Sequence, residues 1–415
     1  MSTNNNVKEI TNCRICASAD LTQFLDFGLQ PLANSFLKPE QLNESEAKYP
    51  LRVVVCNKCR LAQLKDIVDP EIMFRDYVYF SSGMPASEHF RAYVRSIVDG
   101  FTSDNNDLVV DIGSNDGHFL SIVKELGRPI LGVDPARNLA KAANAVGIPT
   151  IPEFFSASLA EEIVAKHGYP KVVIGNNVVA HIGNLHELVK GVKVLTEKGG
   201  VFVFEAPYLI DMFVNLSFDT IYHEHLSYFS VFPLKHLFEQ YGLDIFDVQV
   251  HPIQGNSIRT FVCRKGDRQI LPSVQACLDK EKALGLLDGT EAYFALAEKI
   301  NNLKNEVMNL LSDLKQQGKS IVGYGAPAKG NTLLNYYGIG PEILDYVTEE
   351  LPSKIGFLTP GTRIPVVATQ VFRDNPSDYA LMLAWNYKDV ILKKEQKFRD
   401  NGGKFIMPIG DKRIL

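Results

Sequence analysis

The chain has 415 residues, 46% of them hydrophobic and 22% charged, and a formal net charge of −5, and this length allows two or three domains. A slightly acidic chain without a long basic run argues against a nucleic-acid or anionic-membrane partner. A polar N-terminus and the lack of an apolar run of about 18 residues predict a soluble cytoplasmic protein without a secretory signal or a transmembrane helix.

A zinc site is predicted near the N-terminus, where four of the six cysteines form two Cys-x2-Cys pairs. The pairs are Cys13 with Cys16 and Cys56 with Cys59. Two such pairs supply four thiolates to one tetrahedral zinc ion, and a site without an open coordination position is structural. In a reducing compartment, paired cysteines favour a metal over disulfides. The alternatives are four reduced buried cysteines and a redox Cys-x-x-Cys motif, for which a second pair would be redundant.

A nucleotide-binding unit of strand, glycine turn, helix and strand is predicted to follow. The apolar run at 108–112 leads into the turn Gly113-Ser-Asn-Asp-Gly117, and a second apolar run ends at Asp134. Glycines let the backbone approach a nucleotide, and an acid that closes the second strand takes the ribose hydroxyls. The dinucleotide fingerprint G-x-G-x-x-G is absent, which counts against a bound pyrophosphate. The run Asp111–Gly117 instead resembles motif I of the class I methyltransferases, with Asn115 in place of the middle glycine, and favours S-adenosylmethionine.

Polar residues after the next strand are predicted to line the same crevice. The strand at 171–175 is followed by Asn177 and His181, and residues just past the carboxyl ends of such strands face the ligand. Asn177 is a candidate for binding the amino-acid end of the cofactor, and His181 is a candidate for facing the substrate. A lone histidine at such a position is otherwise structural.

The densest group of titratable side chains is the run Tyr222-His-Glu-His225. Its His-x-His pair suits a metal, although no matching third ligand stands out. The run also suits a buried hydrogen-bonded turn without chemistry. A third interpretation is acid–base catalysis, because histidine titrates near neutrality and Glu224 or Tyr222 can orient it. In an extended segment, Glu224 would point away from His223 and His225, so that one face at most would meet the substrate.

A long helix is predicted from about residue 291 to residue 317, where apolar residues repeat at spacings of three and four. Such a stripe packs against the chain's own domains or forms a dimeric coiled coil, and the short run favours the first arrangement and a monomer.

A second α/β domain is predicted at the C-terminus. The strand at 320–324 leads into Gly325-Ala-Pro-Ala-Lys329-Gly-Asn331 and a helix, which together suit a phosphate cradle at a helix N-terminus. Further strands are predicted at 343–348, 379–384 and 405–408. Thr348 at a strand end, and Lys354 and Arg363 in the next loop, complete a candidate anion site. The alternative is a structural domain with incidental lysines.

Taken in order, these motifs resemble one family, the C-methyltransferases that act on TDP-linked 4-keto-deoxysugars. The resemblance spans essentially the whole chain. It is carried by the two cysteine pairs and by the blocks Asp111–Gly117, Tyr222–His225, Tyr324–Asn331 and Pro360–Pro365. One block departs from the pattern, since Ile253-Gln-Gly-Asn-Ser-Ile-Arg259 stands where a His-Gly-Gly-Ser type of loop is expected.

The resemblance implies an α/β fold in three parts. These are an N-terminal zinc-ribbon-like module (1–80), a class I methyltransferase Rossmann-like domain (81–265) and, after a helical connection (266–318), a smaller C-terminal Rossmann-like α/β domain (319–415) that helps to hold the sugar nucleotide. The implied cofactors are S-adenosylmethionine and a structural zinc ion.

The implied reaction removes a proton from the carbon next to the sugar ketone and transfers a methyl group to that carbon. By resemblance, His225 is the general base, with Tyr222, Glu224 and His181 around the reacting sugar. The predicted cofactor-binding residues are Asp111, Gly113, Asn115, Gly117, Asp134 and Asn177. The predicted substrate-binding residues are Lys329, Asn331, Thr348, Lys354 and Arg363. An O-methyltransferase acting on a sugar nucleotide and a non-catalytic sugar-nucleotide-binding protein are the alternatives.

Overall fold

The computed structural model describes residues 6–74, 80–81, 88–251, 256–410 and 412–415. The elements named below lie within these ranges. Residues 253–255, in the block that departs from the family pattern, lie outside the described residues.

The N-terminal part is built on an antiparallel sheet. Its elements are β1 (Val7–Glu9), β2 (Leu21–Gln30), β3 (Tyr49–Cys56), β4 (Ala62–Leu64), β5 (Asp66–Val68) and α1 (Pro70–Phe74). Strands β2, β3 and β4 pair in that order, and β1 pairs with β5. Because Cys56 ends β3, the turn between β3 and β4 carries the second cysteine pair.

The middle part is a seven-stranded sheet covered by helices. Its elements are α2 (Glu88–Phe101), β6 (Val109–Ile112), α3 (His118–Glu125), β7 (Ile130–Val133), α4 (Arg137–Ala145), β8 (Thr150–Ile151), α5 (Ala157–His167), β9 (Val172–Ile174), α6 (Leu185–Leu195), β10 (Val201–Pro207), α7 (Leu209–Asn215), β11 (Ser227–Tyr228), α8 (Val231–Glu239), β12 (Leu243–His251) and β13 (Ser257–Arg264). All of these except β11 and the helices belong to that sheet. Every residue of β6 and β9 is buried, as expected for parallel strands covered on both faces.

The strand order of this sheet, β12-β13-β10-β9-β6-β7-β8, positions the ligand crevice. Strands β6 to β10 are parallel, and β13 is inserted antiparallel between β10 and β12. The chain runs outward from β6 to β8 and then returns to the other side of β6 at β9. Ligands bind at such a switch point, outside the carboxyl ends of the strands. The predicted cofactor turn and the segment with His181 both begin there.

Two helices, α9 (Pro272–Ala283) and α10 (Glu291–Gln316), connect this sheet to the C-terminal part. Most of the predicted apolar stripe of α10 is buried, although the predicted Leu310 is only partly buried and Leu311 is buried in its place. Helix α10 packs against β2 of the N-terminal sheet. The stripe is therefore covered by the chain itself.

The C-terminal part is a five-stranded parallel sheet with the order β16-β15-β14-β17-β18. Its elements are β14 (Ile321–Tyr324), α11 (Ala328–Tyr337), β15 (Val347–Glu349), β16 (Val366–Ala368), α12 (Thr369–Asp374), β17 (Tyr379–Met382), α13 (Lys388–Lys394), α14 (Gln396–Asp400) and β18 (Lys404–Ile406). The strand predicted at 343–348 begins only at Val347, because the carbonyl of Gly340 accepts from the N–H groups of Ile343 and Leu344, both at 3.0 Å, in a turn. A second switch point lies between β14 and β17.

The three parts share a hydrophobic core. An aromatic cluster joins them, formed by Phe27, Phe218, Tyr336 and Tyr337, with ring centroids 4.4–6.1 Å apart. Strand β11, which follows the histidine cluster, pairs with β4 and so completes the N-terminal sheet. Among the helices of the described residues, none combines the length and apolar character needed to cross a bilayer.

Candidate active site

The four N-terminal cysteines meet in one cluster. Their Sγ atoms all lie within 4.8 Å of one another, with Cys13 3.4 Å from Cys59 and Cys16 3.4 Å from Cys56. None of these four cysteines forms a disulfide bond. Four thiolates bound to one zinc at about 2.3 Å would have sulfurs roughly 3.8 Å apart, so the cluster fits a tetrahedral ion without an open position.

The predicted cofactor turn lies after β6, and steric contacts explain why it contains glycine. Gly113 has φ +72°, and a Cβ there would lie 2.6 Å from the side chain of Val178. Asn115, at the place of the middle motif glycine, has φ +53°. Asparagine tolerates this left-handed region better than most residues. The Oδ1 atom of Asn115 accepts from the N–H of Ser81 at 2.9 Å. The motif therefore keeps its backbone shape with Asn115.

Two carboxylates lie beside this turn. Asp134 accepts from the N–H groups of Asn115 at 2.7 Å and Ala136 at 2.9 Å, which fixes its oxygens at the end of β7. Burial raises the pKa of Asp134. Burial, and then the charge of Asp134, raise the pKa of Asp111 to about 8. A positively charged ligand would favour ionisation of both carboxyl groups, and S-adenosylmethionine carries a sulfonium and an ammonium group.

A buried network beneath the crevice supports the strand end that carries Asn177. Arg259 forms an ion pair with Glu205 at 2.7 Å and lies 3.5 Å from the ring centroid of Tyr93. The hydroxyl of Tyr93 donates to Asn176 Oδ1 at 2.9 Å, and the N–H of Glu205 donates to the same atom at 3.1 Å. Sequence reasoning missed this network because its members come from separate segments. A buried Arg and Glu on neighbouring strands were the available signal.

His181 and His225 come together at the edge of the crevice. Their ring centroids are 5.0 Å apart, and Phe74 stacks on His181 at 5.7 Å. Burial lowers the pKa of His181 well below its ordinary value, and repulsion from His225 when both rings are protonated lowers it further. Burial lowers the pKa of His225 to about 4, and the nearby charge of Lys329 acts in the same direction. Both imidazoles are therefore neutral at neutral pH.

The hydrogen bonds of His225 define its tautomer. Nδ1 lies 2.7 Å from the carbonyl oxygen of Thr220, which can only accept, so Nδ1 carries the proton. Nε2 then presents its lone pair and accepts from the hydroxyl of Tyr222 at 2.9 Å. Burial raises the pKa of Tyr222 well above its ordinary value, so the hydroxyl keeps its proton. The arrangement is a neutral base paired with a neutral donor.

The two histidines of the His-x-His pair have different surroundings. The segment is a turn closed by the N–H of His225 donating to the carbonyl of Tyr222 at 2.9 Å, and it is not extended. His223 is buried against the N-terminal sheet, with Nε2 3.2 Å from the carbonyl of Pro50. The face assignment for an extended strand therefore does not apply, because the turn directs the two rings to different neighbours.

Glu224 is also directed toward the N-terminal part. It is buried, and its Oε1 accepts from the amide of Asn34 at 2.7 Å. The carboxylate thus links the histidine turn to the loop after β2.

Lys329 lies at the second switch point, against residues that sequence reasoning missed. Its Nζ lies 4.6 Å from the ring centroid of Trp385, and it is buried without a hydrogen bond to the described residues. Trp385 donates from Nε1 to Asp219 Oδ2 at 2.6 Å. Asp219 directly precedes the carbonyl that holds His225. The signal for Trp385 was its place just after the predicted strand at 379–384.

The other predicted substrate residues have identifiable partners. Asn331 donates to the carbonyl of Ala33 at 2.8 Å, Thr348 accepts from the N–H of Gly325 at 3.0 Å, and Lys354 donates to the carbonyl of Ala326 at 3.0 Å. Lys329, Lys354 and Thr348 therefore surround the loop after β14. Arg363 instead donates to the carbonyls of Leu42 and Glu44, away from that loop.

Comparisons with known proteins agree along the chain. Three family models match, described as "Putative zinc binding domain" at residues 13–74, "Methyltransferase domain" at 87–248 and "C-methyltransferase C-terminal domain" at 252–410. A curated relative, C-methyltransferase NovU from Streptomyces niveus, is 37% identical over 411 residues, 99% of this chain and 98% of the relative.

Solved structures resemble the middle of the chain more distantly. A SAM-dependent methyltransferase from Anabaena variabilis is 12% identical, with 43% of this chain and 86% of that chain covered at a TM-score of 0.36. A magnesium protoporphyrin IX methyltransferase from Synechocystis with bound SAM is 14% identical, with 42% and 79% covered at a TM-score of 0.31.

Proposed function

Because the chain belongs to the C-methyltransferase family, we propose that it methylates the carbon next to the ketone of a nucleotide-linked keto-deoxysugar. The chain is an S-adenosylmethionine-dependent C-methyltransferase with a class I methyltransferase fold and a structural zinc site. The substrate, the base and the other roles below are the proposal. The observation that carries it is the neutral His225, with an unprotonated Nε2, at the edge of the cofactor crevice.

The first step is proton transfer from carbon. A C–H bond next to a ketone is acidic enough for a positioned neutral imidazole, and such a base contributes roughly 10²–10⁴-fold. Nε2 of His225 takes the proton, and the electron pair of the C–H bond moves to the ketone oxygen as an enolate. Thr220 supports this step, because its carbonyl accepts from Nδ1 at 2.7 Å and stabilises the imidazolium that forms. Glu224, fixed by Asn34, holds the turn that carries the base.

The enolate oxygen needs donors in place before it forms. The hydroxyl of Tyr222 is such a donor if it turns from Nε2 of His225 to the ketone oxygen when the substrate binds, a turn that also frees the Nε2 lone pair for the proton. His181, 5.0 Å from His225 between ring centroids, is the second candidate. Both side chains are held by burial and ring packing, so little reorganisation is required during the reaction.

The second step forms the carbon–carbon bond. When bound, S-adenosylmethionine supplies a sulfonium methyl group, an electrophile that takes the enolate electron pair as its C–S bond breaks. The chain's residues orient the two reactants, which is a large part of catalysis for a two-substrate reaction. Asp134 binds the ribose. The turn with Gly113, Asn115 and Gly117 lets the cofactor approach the backbone closely. Asp111 and Asn177 bind the charged amino-acid end of the cofactor. His225 then loses its proton to solvent.

The C-terminal sheet is proposed to hold the sugar nucleotide, which by resemblance is TDP-linked. Lys329 supports this role, because its buried ammonium group has no hydrogen bond to the described residues. A bound diphosphate would offset the charge of Lys329, which now lowers the pKa of His225. Substrate binding would therefore make Nε2 more basic. Asn331, Thr348, Lys354 and Arg363 complete the proposed site.

The proposal also keeps the division into parts at 1–80, 81–265, 266–318 and 319–415. It places the enzyme in the cytoplasm, where reduced thiols can hold zinc.

The test is to incubate the purified enzyme with a TDP-4-keto-deoxysugar and S-adenosylmethionine carrying a ¹³C methyl group. A methyl carbon coupled to a ring carbon in the product NMR spectrum is the expected result. A methyl group on oxygen would assign an O-methyltransferase, and binding without transfer would assign a sugar-nucleotide-binding protein. Either result would overturn the proposed function.

A further inference from the structure

The turn that carries His225 is held by the zinc module at several points. Its last residue, Leu226, offers its carbonyl to the N–H of Leu64 at 3.0 Å. The two residues after it pair with β4 as β11, Ser227 opposite Gln63. His223 and Glu224 contact Pro50 and Asn34 of the same module. The base turn, defined as residues 220–226, therefore takes its position partly from the metal-binding part of the chain.

Arg14, between the first two cysteines, makes the most direct of these contacts. Its Nη1 donates to the carbonyl of Leu226 at 3.1 Å and to Gln63 Oε1 at 3.2 Å, and its backbone N–H donates to the same Gln63 oxygen at 3.1 Å. The side chain is 8% exposed. One residue thus bonds both the end of the base turn and the strand beside it, from a position next to the zinc ligand Cys13.

The remaining donors of Arg14 indicate why the metal matters. Nε and Nη2 are buried and have no hydrogen bond to the described residues. A buried cation without a counter-charge is costly. Four cysteine thiolates and one Zn²⁺ carry a net charge of −2, and Cys13 is the adjacent residue. The loaded site therefore supplies the negative charge that stabilises the guanidinium in this position.

We propose that Arg14 is a positioning residue for the base. Arg14 joins the zinc module to the carbonyl of Leu226, so that the metal-loaded module holds the base turn in its catalytic geometry. Zinc then acts on turnover through the position of His225, without taking part in the chemistry. The link to catalysis rests on the proposed role of His225, whereas the link to the base turn does not.

The chain contains a matched control at the other cysteine pair. Arg60 follows the ligand Cys59 as Arg14 follows Cys13, and it is 5% exposed. Its Nε donates to the carbonyl of Leu286 at 2.9 Å, and its Nη2 donates to the carbonyl of Gly289. Arg60 therefore joins the zinc module to the segment between α9 and α10, and within the described part of the chain its side-chain hydrogen bonds do not involve the base turn. A comparison of the two arginines separates positioning from general stability.

The experiment compares the full-length wild type with Arg14→Met, Arg14→Lys and Arg60→Met. Four quantities are measured: zinc content, S-adenosylmethionine affinity by calorimetry, kcat and KM for the sugar nucleotide, and amide hydrogen exchange of the peptide covering 220–228. Arg14→Met should exchange faster in that peptide and lose kcat by roughly 10–100-fold, the scale for residues that orient a functional group. KM and cofactor affinity should change less than about threefold, and Arg14→Lys should recover part of kcat because it restores one donor and the charge.

Arg60→Met should lower the unfolding temperature while the exchange of 220–228 and kcat stay near the wild type. Wild-type enzyme stripped of zinc by a chelator should show the same faster exchange as Arg14→Met. The proposal is overturned if Arg14→Met leaves the exchange and kcat unchanged. It is equally overturned if Arg14→Met and Arg60→Met lose kcat in proportion to their stability. Faster exchange in Arg14→Met combined with a fully active His225→Ala would uphold the link to the turn and remove the base assignment of the proposed function.

Discussion

Trp385, just after β17, and Asp219, just before the base turn, join the C-terminal part to that turn, with the indole Nε1 donating to the carboxylate at 2.6 Å. The next residue, Thr220, offers the carbonyl that holds His225. Lys329 lies over the indole ring and lowers the pKa of His225 through its charge. The proposed sugar-nucleotide site and the proposed base are therefore in direct structural and electrostatic contact.

Lys329→Ala is expected to raise KM for the sugar nucleotide while S-adenosylmethionine affinity stays unchanged. Loss of a charge-assisted contact of about 1.5–3 kcal/mol corresponds to roughly 10–100-fold. The pKa of His225 should rise in the free variant, because the charge that lowers it is removed. Steady-state kinetics and histidine NMR titration measure the two effects. The control is Lys319→Ala, which removes a lysine that forms an exposed ion pair with Asp378. A loss of cofactor affinity instead would mean that the two sites have been assigned to the wrong parts.

Purified enzyme is expected to contain about one zinc ion per chain, and Cys56→Ser is expected to destabilise the N-terminal module. Cys56 Sγ lies 3.4 Å from Cys16 Sγ within the four-sulfur cluster, and a closed structural site contributes directly to folding. Metal analysis and thermal unfolding with and without a chelator are the measurements. Cys277→Ser, at a cysteine outside the cluster, should retain zinc. Carefully prepared protein without zinc would contradict the prediction.

Asp134→Ala is expected to weaken S-adenosylmethionine binding by roughly 1.5–3 kcal/mol, the value of a hydrogen bond to a charged group. The structure adds that Asp134 also accepts from the N–H of Asn115 at 2.7 Å. Asp134→Asn keeps one of the two acceptor oxygens, so it should disturb the turn less and lose less affinity than Asp134→Ala. Isothermal calorimetry measures both. Equal affinities in the wild type and the alanine variant would show that Asp134 is not at the ribose.

Histidine burial is expected to make the free energy of unfolding fall as the pH decreases from 6.5 to 4. The folded-state pKa of His223 is lowered to about 4 by burial, against an unfolded value near 6.5. Between these pH values the unfolded chain binds one more proton at this histidine than the folded chain does. The stabilisation that comes from keeping His223 neutral is therefore complete above pH 6.5 and is lost as the pH falls through 4. One such group contributes a slope of at most about 1.4 kcal/mol per pH unit.

His223→Gln should flatten this slope, because an amide keeps a donor for the carbonyl of Pro50 and does not titrate. Urea unfolding at several pH values measures the slope. His167→Gln, which replaces a histidine at the exposed end of α5, is the surface control. An identical slope for His223→Gln and wild type would contradict the assignment.

Local sequence patterns predicted the helices and strands of the fold well, because a buried strand or an amphipathic helix can be recognised from a short stretch of sequence. The cysteine cluster and the turn with Gly113 and Asn115 were predictable for the same reason. The strand expected at 343–348 was too long, because Leu344 is a buried residue that belongs to a turn and not to a strand. An apolar run alone does not separate the two.

The active-site geometry was less predictable, because its contacts join residues far apart in the chain. Nothing in the local sequence pairs Trp385 with Asp219, or Arg14 with Leu226. The different surroundings of His223 and His225 also depend on a turn whose neighbours come from the N-terminal sheet. Sequence spacing placed the two histidines on one face only under the assumption of an extended strand.

His225→Ala is expected to abolish both proton exchange and methyl transfer while still binding both ligands. If deprotonation precedes transfer, as proposed, wild-type enzyme with S-adenosylhomocysteine in D₂O should exchange the substrate proton next to the ketone without methylation. The variant should lose exchange and turnover by roughly 10²–10⁴-fold, the scale for a general base. Tyr222→Phe should keep measurable exchange but lower turnover, since it removes a donor to the enolate and leaves Nε2 of His225 in place.

His223→Gln is the matched control and should keep both activities, because His223 contacts Pro50 instead of the crevice. An inactive His223 variant beside an active His225 variant would make His223 the base. Activity in both variants would move the base to His181, the neighbouring imidazole at 5.0 Å between ring centroids.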